Sequence, residues 1–484
     1  MLSSLLVLLA VSVSLIFYLL KPDKKFECLK PYTATPAYVP LLGHSYTLIT
    51  NNIFKAIEII TSKNKPCVMW EGPKPLYATN DAEELKIILN HPNALNKLTK
   101  FRFLEEVFQG SIIGIEASIW RKNRKKLSKA FHQNILDSFV YIFYERSLIL
   151  VDILKNVTST TDFYDLFQKF TMDSFLVANT GVDKQVQREN YIEIVDYLLR
   201  GQAIAIDRFF KPHFWNDTVF KYFGRSSELT KCVKETTDYL SEVLNQRQHL
   251  KDNGDFNETR MKPIMDLLLE MNELEDIDKS YVINEVRTFF YAATDTSAHT
   301  VAFTCTLLGM HPEIQEKVYE EVINVVGKDS PITSKDLPNL KYTEMVVNES
   351  LRLFPVVPFV GRFTTGEIDI GRLVLPKGIE IGVLIFQLHR NEKYFPDPSK
   401  FDPDRFLPEE VAKRHPYSFL PFSGGPRNCI GWKYAMMMLK TSMATIVRNY
   451  KMHSNYKSTE EMELESHIIL RTSHNLDLTF TPRY

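Results

Sequence analysis

The decapeptide Phe422-Ser-Gly-Gly-Pro-Arg-Asn-Cys-Ile-Gly431 constrains this chain more than any other stretch. It sets one cysteine, Cys429, between glycine-bearing turns and directly before a long apolar pattern, Trp432–Tyr450, that reads as a helix. The free N–H groups and positive end of a helix favour a thiolate over a thiol. Gly425 offers backbone geometry closed to residues with side chains. Gly431 lets a backbone N–H reach the sulfur, and Phe422 would screen that sulfur from water. A buried structural cysteine in a glycine loop is the bland alternative, and for an isolated cysteine it is the better one. The full pattern favours a thiolate presented to something large and flat.

The other cysteines, Cys28, Cys67, Cys232 and Cys305, are scattered and form no Cys-x-x-Cys pair. That argues against a zinc site and against a disulfide framework, and it leaves Cys429 free to act as a ligand. With 44% hydrophobic and 24% charged residues in 484, the chain can bury a sizeable core. A formal net charge of -1 gives nucleic-acid binding no support.

Residues Leu2–Leu20 carry no charge and are mostly apolar. As a helix they span about 28 Å, close to the thickness of a bilayer core. Lys21, Lys24, Lys25 and Lys30 follow, and basic residues on that side argue that the C-terminal bulk stays cytosolic. A cleaved signal peptide is the alternative; the length of the run and the absence of preceding basic residues speak against it. The expected organisation is a membrane anchor at 2–20, a basic, Pro-containing linker at 21–45 and a catalytic domain at 46–484. The prolines of Pro36–Gly43 make part of that linker stiff, or else mark an ordinary loop.

Helical patterns dominate that domain: Phe54–Ser62, Ala82–Asn90, Trp120–Phe139, Val140–Lys155, Asp162–Asn179, Arg188–Ala205, Ser227–Asp252, Met261–Met271, Lys279–Gly309, Pro312–Val326 and Tyr342–Phe354. Strand-like runs are fewer: Cys67–Trp70, Leu76–Thr79, Phe363–Ile368, Arg372–Leu375, Ile379–Leu384 and a late set around His467–Phe480. The fold class is mainly α with a smaller β portion.

Phe-x-x-Gly-x-Arg-x-Cys-x-Gly is the haem-binding signature of the haem-thiolate monooxygenases, and the chain resembles that cytochrome P-450 superfamily over nearly its whole length. The resemblance implies the haem-thiolate monooxygenase fold, with Cys429 as the axial metal ligand and with Phe422, Gly425, Arg427 and Gly431 forming its loop. An axial thiolate pushes electron density onto iron and favours O–O cleavage. Other landmarks occur in the expected order. Glu349-Ser-Leu-Arg352 matches Glu-x-x-Arg, an i,i+3 pair on one helix face. Arg405, in Phe401–Phe406, is the third member of this structural triad. Read alone, such a pair is an ordinary solvated one. Trp120-Arg-Lys-Asn-Arg124 and Pro358-Phe-Val-Gly-Arg362 match two propionate-contacting patterns. Arg124, Arg362 and Arg427 thus make three arginines for two propionates, with the Trp120 N–H as a further donor.

The run Ala292-Ala-Thr-Asp-Thr-Ser297 places an acid beside an alcohol in the middle of a long apolar helix. Asp295 and Thr296 match the family's proton-delivering pair, and back-bonding by a threonine can locally open a helix. A polar patch at a kink is the alternative. The thirteen residues Glu285–Ser297 resemble the fatty-acid-hydroxylating animal branch, and Arg414–Pro421 points to its insect members. That branch has Glu-Gly where this chain has Ala292-Ala293, and its glutamate can bond covalently to haem. Ala292 cannot form an ester, so haem b is expected to be non-covalent. Ala293 adds a methyl group where oxygen should sit.

The implied activity is insertion of one atom of dioxygen into a lipophilic small molecule such as a fatty acid, hormone, pheromone or odorant, or xenobiotic. Electrons would come from NADPH through a flavoprotein reductase, with a small cytochrome as a further donor. The cluster Arg121, Lys122, Arg124, Lys125, Lys126 and Lys129 suits docking of an acidic reductase, or is simply a solvated face. The aromatic and basic stretch Arg208–Phe223 suits a membrane interface, or is helix core. The expected location is the endoplasmic reticulum membrane, single-pass, with membrane lipid as a partner and no nucleic acid. A reductase-independent thiolate-haem isomerase or dehydratase is the alternative, as is a membrane haem carrier or sensor. Candidate pocket segments are Phe101–Ile115, Ala203–Phe214, Tyr291–Thr296, Val356–Val360 and Ile468–Thr472.

Overall fold

The computed structural model describes residues 23–34, 43–45, 47, 54, 57, 66–157, 161–188, 193–253, 264–275, 279–466 and 468–484. The expected membrane segment, residues 21–22 and 35–42 of the linker, and all of Phe54–Ser62 except Phe54 and Ile57 lie outside these residues. Among the described residues no helix is long and apolar enough to cross a membrane.

Helices carry most of the chain, as expected. The elements that position the site are α1 (Ala82–Asn90), α2 (Ala117–Leu127), α3 (Gln133–Ile153), α4 (Phe163–Thr180), α5 (Glu193–Phe210), α6 (Ser226–Asp252), α7 (Lys279–Met310), α8 (Pro312–Val325), α9 (Lys341–Leu353) and α10 (Trp432–Asn449). The strands are β1 (Cys67–Glu71), β2 (Lys74–Thr79), β3 (Phe359–Phe363), β4 (Ile368–Asp369), β5 (Val374–Leu375), β6 (Glu380–Leu384), β7 (Tyr450–His453), β8 (Leu464–Ser466), β9 (Leu470–Thr472) and β10 (Thr479–Pro482). One sheet has the order β1-β2-β6-β3, and three two-stranded ribbons complete the β portion.

Two expected elements do not form as single units, for physical reasons, and one helix, α3, runs through the expected break at Phe139–Val140. Trp120–Phe139 is not one helix. The chain leaves helical backbone at His132 (φ -66, ψ 146), between a 3-10 turn at Ser128–Phe131 and α3. No glycine or proline marks that break; inward packing of Leu127 and Ala130, both nearly inaccessible, decides it. Phe363–Ile368 is not one strand either. The Thr364 and Thr365 N–H groups bond the Ile379 and Asn93 carbonyls, so the backbone turns between β3 and β4.

Local chemistry explains where α4 begins and ends. The Asp162 side chain accepts the Tyr164 and Asp165 N–H groups, and Gly181 ends the helix at φ 72. The central helix α7 runs 32 residues. It is buried on nearly every face, so its polar residues must satisfy themselves. Thr296, Thr300, Thr304 and Thr306 each donate to the carbonyl four residues back, at 2.6 to 2.9 Å.

The expected triad assembles. Arg352 makes a bidentate pair with Glu349 at 2.6 and 2.8 Å, and both side chains are inaccessible to solvent. The Asp402 N–H adds a bond to Glu349 Oε1 at 2.9 Å, and Arg405 Nε lies 3.5 Å from the same oxygen. The remaining Arg352 donors bond the His389, Pro398 and Lys400 carbonyls. His389 Nε2 in turn accepts the Leu420 N–H at 2.8 Å, two residues before the cysteine loop. Burial, with Arg352 and Arg390 nearby, lowers His389 to about 3, which keeps this nitrogen an acceptor. Glu349→Ala leaves Arg352 buried without its carboxylate. We expect it to destabilise the holoprotein by about 3–5 kcal/mol in denaturant unfolding; a change near zero would remove the triad from the scaffold.

Candidate active site

Cys429 lies at the N-terminus of α10, whose first turn follows Gly431. Gly425 sits at φ 68, and a Cβ there would lie 2.0 Å from the Leu89 carbonyl oxygen at the end of α1. Only glycine allows this close passage. The Cys429 N–H donates to the Phe422 carbonyl at 2.9 Å, which closes the loop. The residue is exposed to the interior surface of a cavity of about 390 Å³ that it lines together with Phe422, Gly431 and α7 residues, rather than to bulk water.

The electrostatics differ from expectation. Burial pushes the Cys429 thiol up, and the Gly431 N–H, Arg124 and Lys97 pull it down without cancelling that effect. The helix end alone therefore does not secure a thiolate. A coordinating metal deprotonates a thiol outright.

Cations converge on this loop. Arg124, from α2, donates to the Asn428 carbonyl and Oδ1 at 3.0 and 2.9 Å. Arg427 lies 4.4 Å over the Trp120 ring and donates to the Leu95, Ile112 and Ile115 carbonyls. Three of its five N–H donors thus staple the 95–115 segment to the cysteine loop, a task its sequence pattern did not suggest. Arg362, on β3, lies behind Gly361 and Ser423 of the wall with 1% exposure, and its Nε has no partner. Burial lowers Arg362 to about 10. Burial, then Arg362 and Arg124, lower Arg427 to about 9. Lys97 was missed in the sequence. Burial and the neighbouring Arg362 and Arg427 hold it well below the usual lysine range, against a pull from Cys429.

Among the described lining residues the one carboxylate is Asp295, and it is already engaged. An anion in the cavity would relieve this clustered positive charge. The donor set fits haem: a soft sulfur for iron, and cations with an orphaned guanidinium N–H for two carboxylates.

Asp295 and Thr296 both line the cavity from α7. Thr296 Oγ1 donates to the Ala292 carbonyl at 2.6 Å, yet α7 stays continuous, so the back-bond does not open the helix. Asp295 Oδ1 accepts Gln168 Nε2 at 2.8 Å and lies 3.2 Å from His299 Nδ1. Burial raises this carboxyl, but His299, Gln168 and Arg471 outweigh burial and hold it below its ordinary value. Ala292 and Ala293 also line the cavity, as do residues from each expected pocket segment.

Several working residues escaped sequence reading. Lys97, Gln168 and His389 lie in no motif, His299 stands one turn after Asp295, and Asn428 fills a variable position of the cysteine loop. Glu285 stood in a pattern without a role. Its Oε1 accepts the Ile112 N–H at 2.9 Å, and the Tyr281 hydroxyl also bonds the carboxyl. It therefore pins the cavity wall whose Ile112 carbonyl receives Arg427. The stretch 208–223 divides: Phe209 and Phe220 are core, whereas Tyr222 and Phe223 are 71% and 81% exposed.

A cationic cavity closed by one cysteine loop, beneath a central helix bearing an acid–alcohol pair, defines a thiolate haemoprotein. The cytochrome P450 family model matches residues 34–480, and the chain belongs to that family. It is 32% identical to cytochrome P450 4V2 of Rattus norvegicus over 98% of this chain and 94% of the rat protein. It is 29% identical to cytochrome P450 4c21 of Blattella germanica over 93% of each chain. With cytochrome P450 4c3 of Drosophila melanogaster it shares 28% identity over 97% of this chain and 93% of the relative. These relatives place it beside the mammalian and insect P450 4 proteins, as the sequence patterns implied. Membership carries thiolate-ligated haem and monooxygenase activity.

Burial raises Glu285 to about 7, against hydrogen bonds from Tyr281 and Ile112. A carboxyl raised on folding stabilises fully below its unfolded value, and that contribution is lost as pH climbs through the folded value. Glu285→Gln should therefore flatten the pH dependence of stability between about pH 4.5 and 7. It should also make the protein more stable than wild type at pH 8, by on the order of 2–3 kcal/mol. Unfolding midpoints across this range test it, and parallel profiles would mean the carboxyl is solvated.

Proposed function

We propose that this chain is a membrane-anchored haem-thiolate monooxygenase that hydroxylates a lipophilic small molecule with electrons from NADPH. The observation that carries the reading is the apolar cavity faced by Cys429, cations and the Asp295–Thr296 pair. Cys429 holds the iron of haem b. Trp120, Arg124, Arg362 and Arg427, joined by Lys97, hold its carboxylates, while Phe422, Gly425 and Gly431 shape the loop. Bound there, haem supplies dioxygen activation under the electron push of the thiolate. The apolar wall excludes water and orients the substrate, whose class is a fatty acid, hormone, pheromone or odorant, or xenobiotic. Asp295 and Thr296 deliver protons from α7, and an intact pair favours the monooxygenase over a reductase-independent isomerase or dehydratase. Ala292, with no carboxylate, leaves the haem non-covalent and extractable.

Segment 2–20 anchors the protein in the endoplasmic reticulum membrane, with the catalytic body on the cytosolic side. Exposed Tyr222 and Phe223 suit contact with lipid. Arg121, Lys122, Lys125 and Lys129 are exposed on and just after α2, the helix that also holds Arg124, and suit an acidic flavoprotein reductase. A small cytochrome is a second electron donor at the same face.

Two experiments test the reading. The reduced wild-type protein should give the carbon-monoxide difference band of a thiolate haem, and Cys429→Ser should lose both band and turnover. Normal activity in that variant would overturn the assignment. Lys125→Glu with Lys126→Glu should slow reductase-driven turnover by about tenfold or more, through weaker encounter, and spare peroxide-driven turnover. Equal losses in both assays would argue against docking at this face.

A further inference from the structure

We propose that His299 is a positioning residue for Asp295, holding the carboxylate in the orientation from which it exchanges protons with Thr296 and water. The inference rests on the reading of Asp295 and Thr296 as the proton-delivering pair.

His299 lies one turn after Asp295 on α7 and is 5% exposed. Its Nδ1 is 2.8 Å from the Asp295 carbonyl oxygen and 3.2 Å from Oδ1. Both are acceptors, so one Nδ1–H serves both and the ring must carry its proton there. Gln168, from α4, donates to the same Oδ1 at 2.8 Å. Two donors on Oδ1 leave Oδ2 as the oxygen available for exchange within the cavity that Asp295 lines. The ring is itself fixed. It lies nearly parallel to Tyr164, with centroids 4.5 Å apart. The Tyr164 hydroxyl accepts the Thr472 N–H at 3.1 Å and lies 3.2 Å from Thr472 Oγ1. The support for the acid thus runs from α7 through α4 to β9.

Hydroxylation consumes one dioxygen, two electrons and two protons, and yields the alcohol and one water. Each proton that Asp295 passes on must be replaced, so the carboxylate has to return to one charged, oriented state. Burial opposes that state, and His299 is the largest influence restoring it. The charged and titratable groups facing this pair are Tyr164 from α4 and Arg471 from β9, and Arg471 is itself bonded to Glu465 at 2.7 Å. Without His299 the acid would protonate more readily and lose one of the two donors that fix Oδ1.

The test uses the holoenzyme with NADPH, its reductase and a lipophile that perturbs the haem spectrum. His299→Ala should raise the peroxide released per NADPH by about threefold or more, at unchanged haem content and unchanged lipophile affinity. The amide N–H of His299→Gln can reach the same oxygens and should restore coupling to near wild type. A second readout is independent of turnover. In histidine ring NMR, the Nδ1–H signal absent from His299→Gln should shift in Asp295→Asn, because its carboxylate acceptor is gone. Wild-type coupling in His299→Ala, failure of the glutamine rescue, or an unmoved Nδ1–H resonance would each overturn the proposal. If His299→Ala does not fold, the coupling of the glutamine variant and the Nδ1–H resonance decide. Absence of the thiolate band in wild type would instead overturn the haem reading itself.

Discussion

The pair between Glu349 and Arg352 is the interaction on which the rest of this molecule hangs. Two opposite charges sit at zero exposure on one helix face, and neither could remain there alone. The cost of burying them is offset because every neighbour contributes a bond. Arg405 and the Asp402 N–H face the carboxylate, and three carbonyls receive the guanidinium. One of those carbonyls belongs to His389, whose ring accepts the Leu420 N–H. A structural ion pair on α9 therefore sets the position of a loop whose cysteine lies nine residues further along.

The cavity carries the opposite imbalance. Lys97, Arg124, Arg362 and Arg427 bring positive charge to a largely apolar hollow, and burial opposes each of these charges. Their own donors are satisfied only in part, by backbone carbonyls and Asn428. Such a site is built for an anionic occupant, and a tetrapyrrole with two carboxylates and a thiolate-bound metal supplies the missing charge. On the α7 side the arrangement differs. There a single acid is held charged by a histidine, a glutamine and a distant arginine, while apolar side chains line the remainder.

Much of this was legible in the sequence, because several residues carry constraints that survive without neighbours. Gly425 is needed where the backbone takes positive φ and a Cβ would lie 2.0 Å from the Leu89 carbonyl oxygen. Glu349 and Arg352 lie one turn apart and share a face by helix geometry. Asp295 and Thr296 are adjacent in a run whose apolar length predicts a central helix. The break at His132 left no such mark, since Leu127 and Ala130 are good helix formers whose burial overrides propensity. Arg427 was readable as a cation of the loop. That three of its donors staple residues 95, 112 and 115 could not be read, because those partners are backbone atoms with no side-chain signature.

The mainly helical class, the cysteine loop and the family were readable from the chain alone, since those depend on residue type and local spacing. That Lys97 joins the cation cluster and that Glu285 pins the cavity wall through Ile112 emerges only from the packed fold. It alone brought Gln168, His299 and Tyr164 together around Asp295. Contacts between residues more than a hundred positions apart depend on how helices pack, and packing leaves no period in the chain for a reader to find.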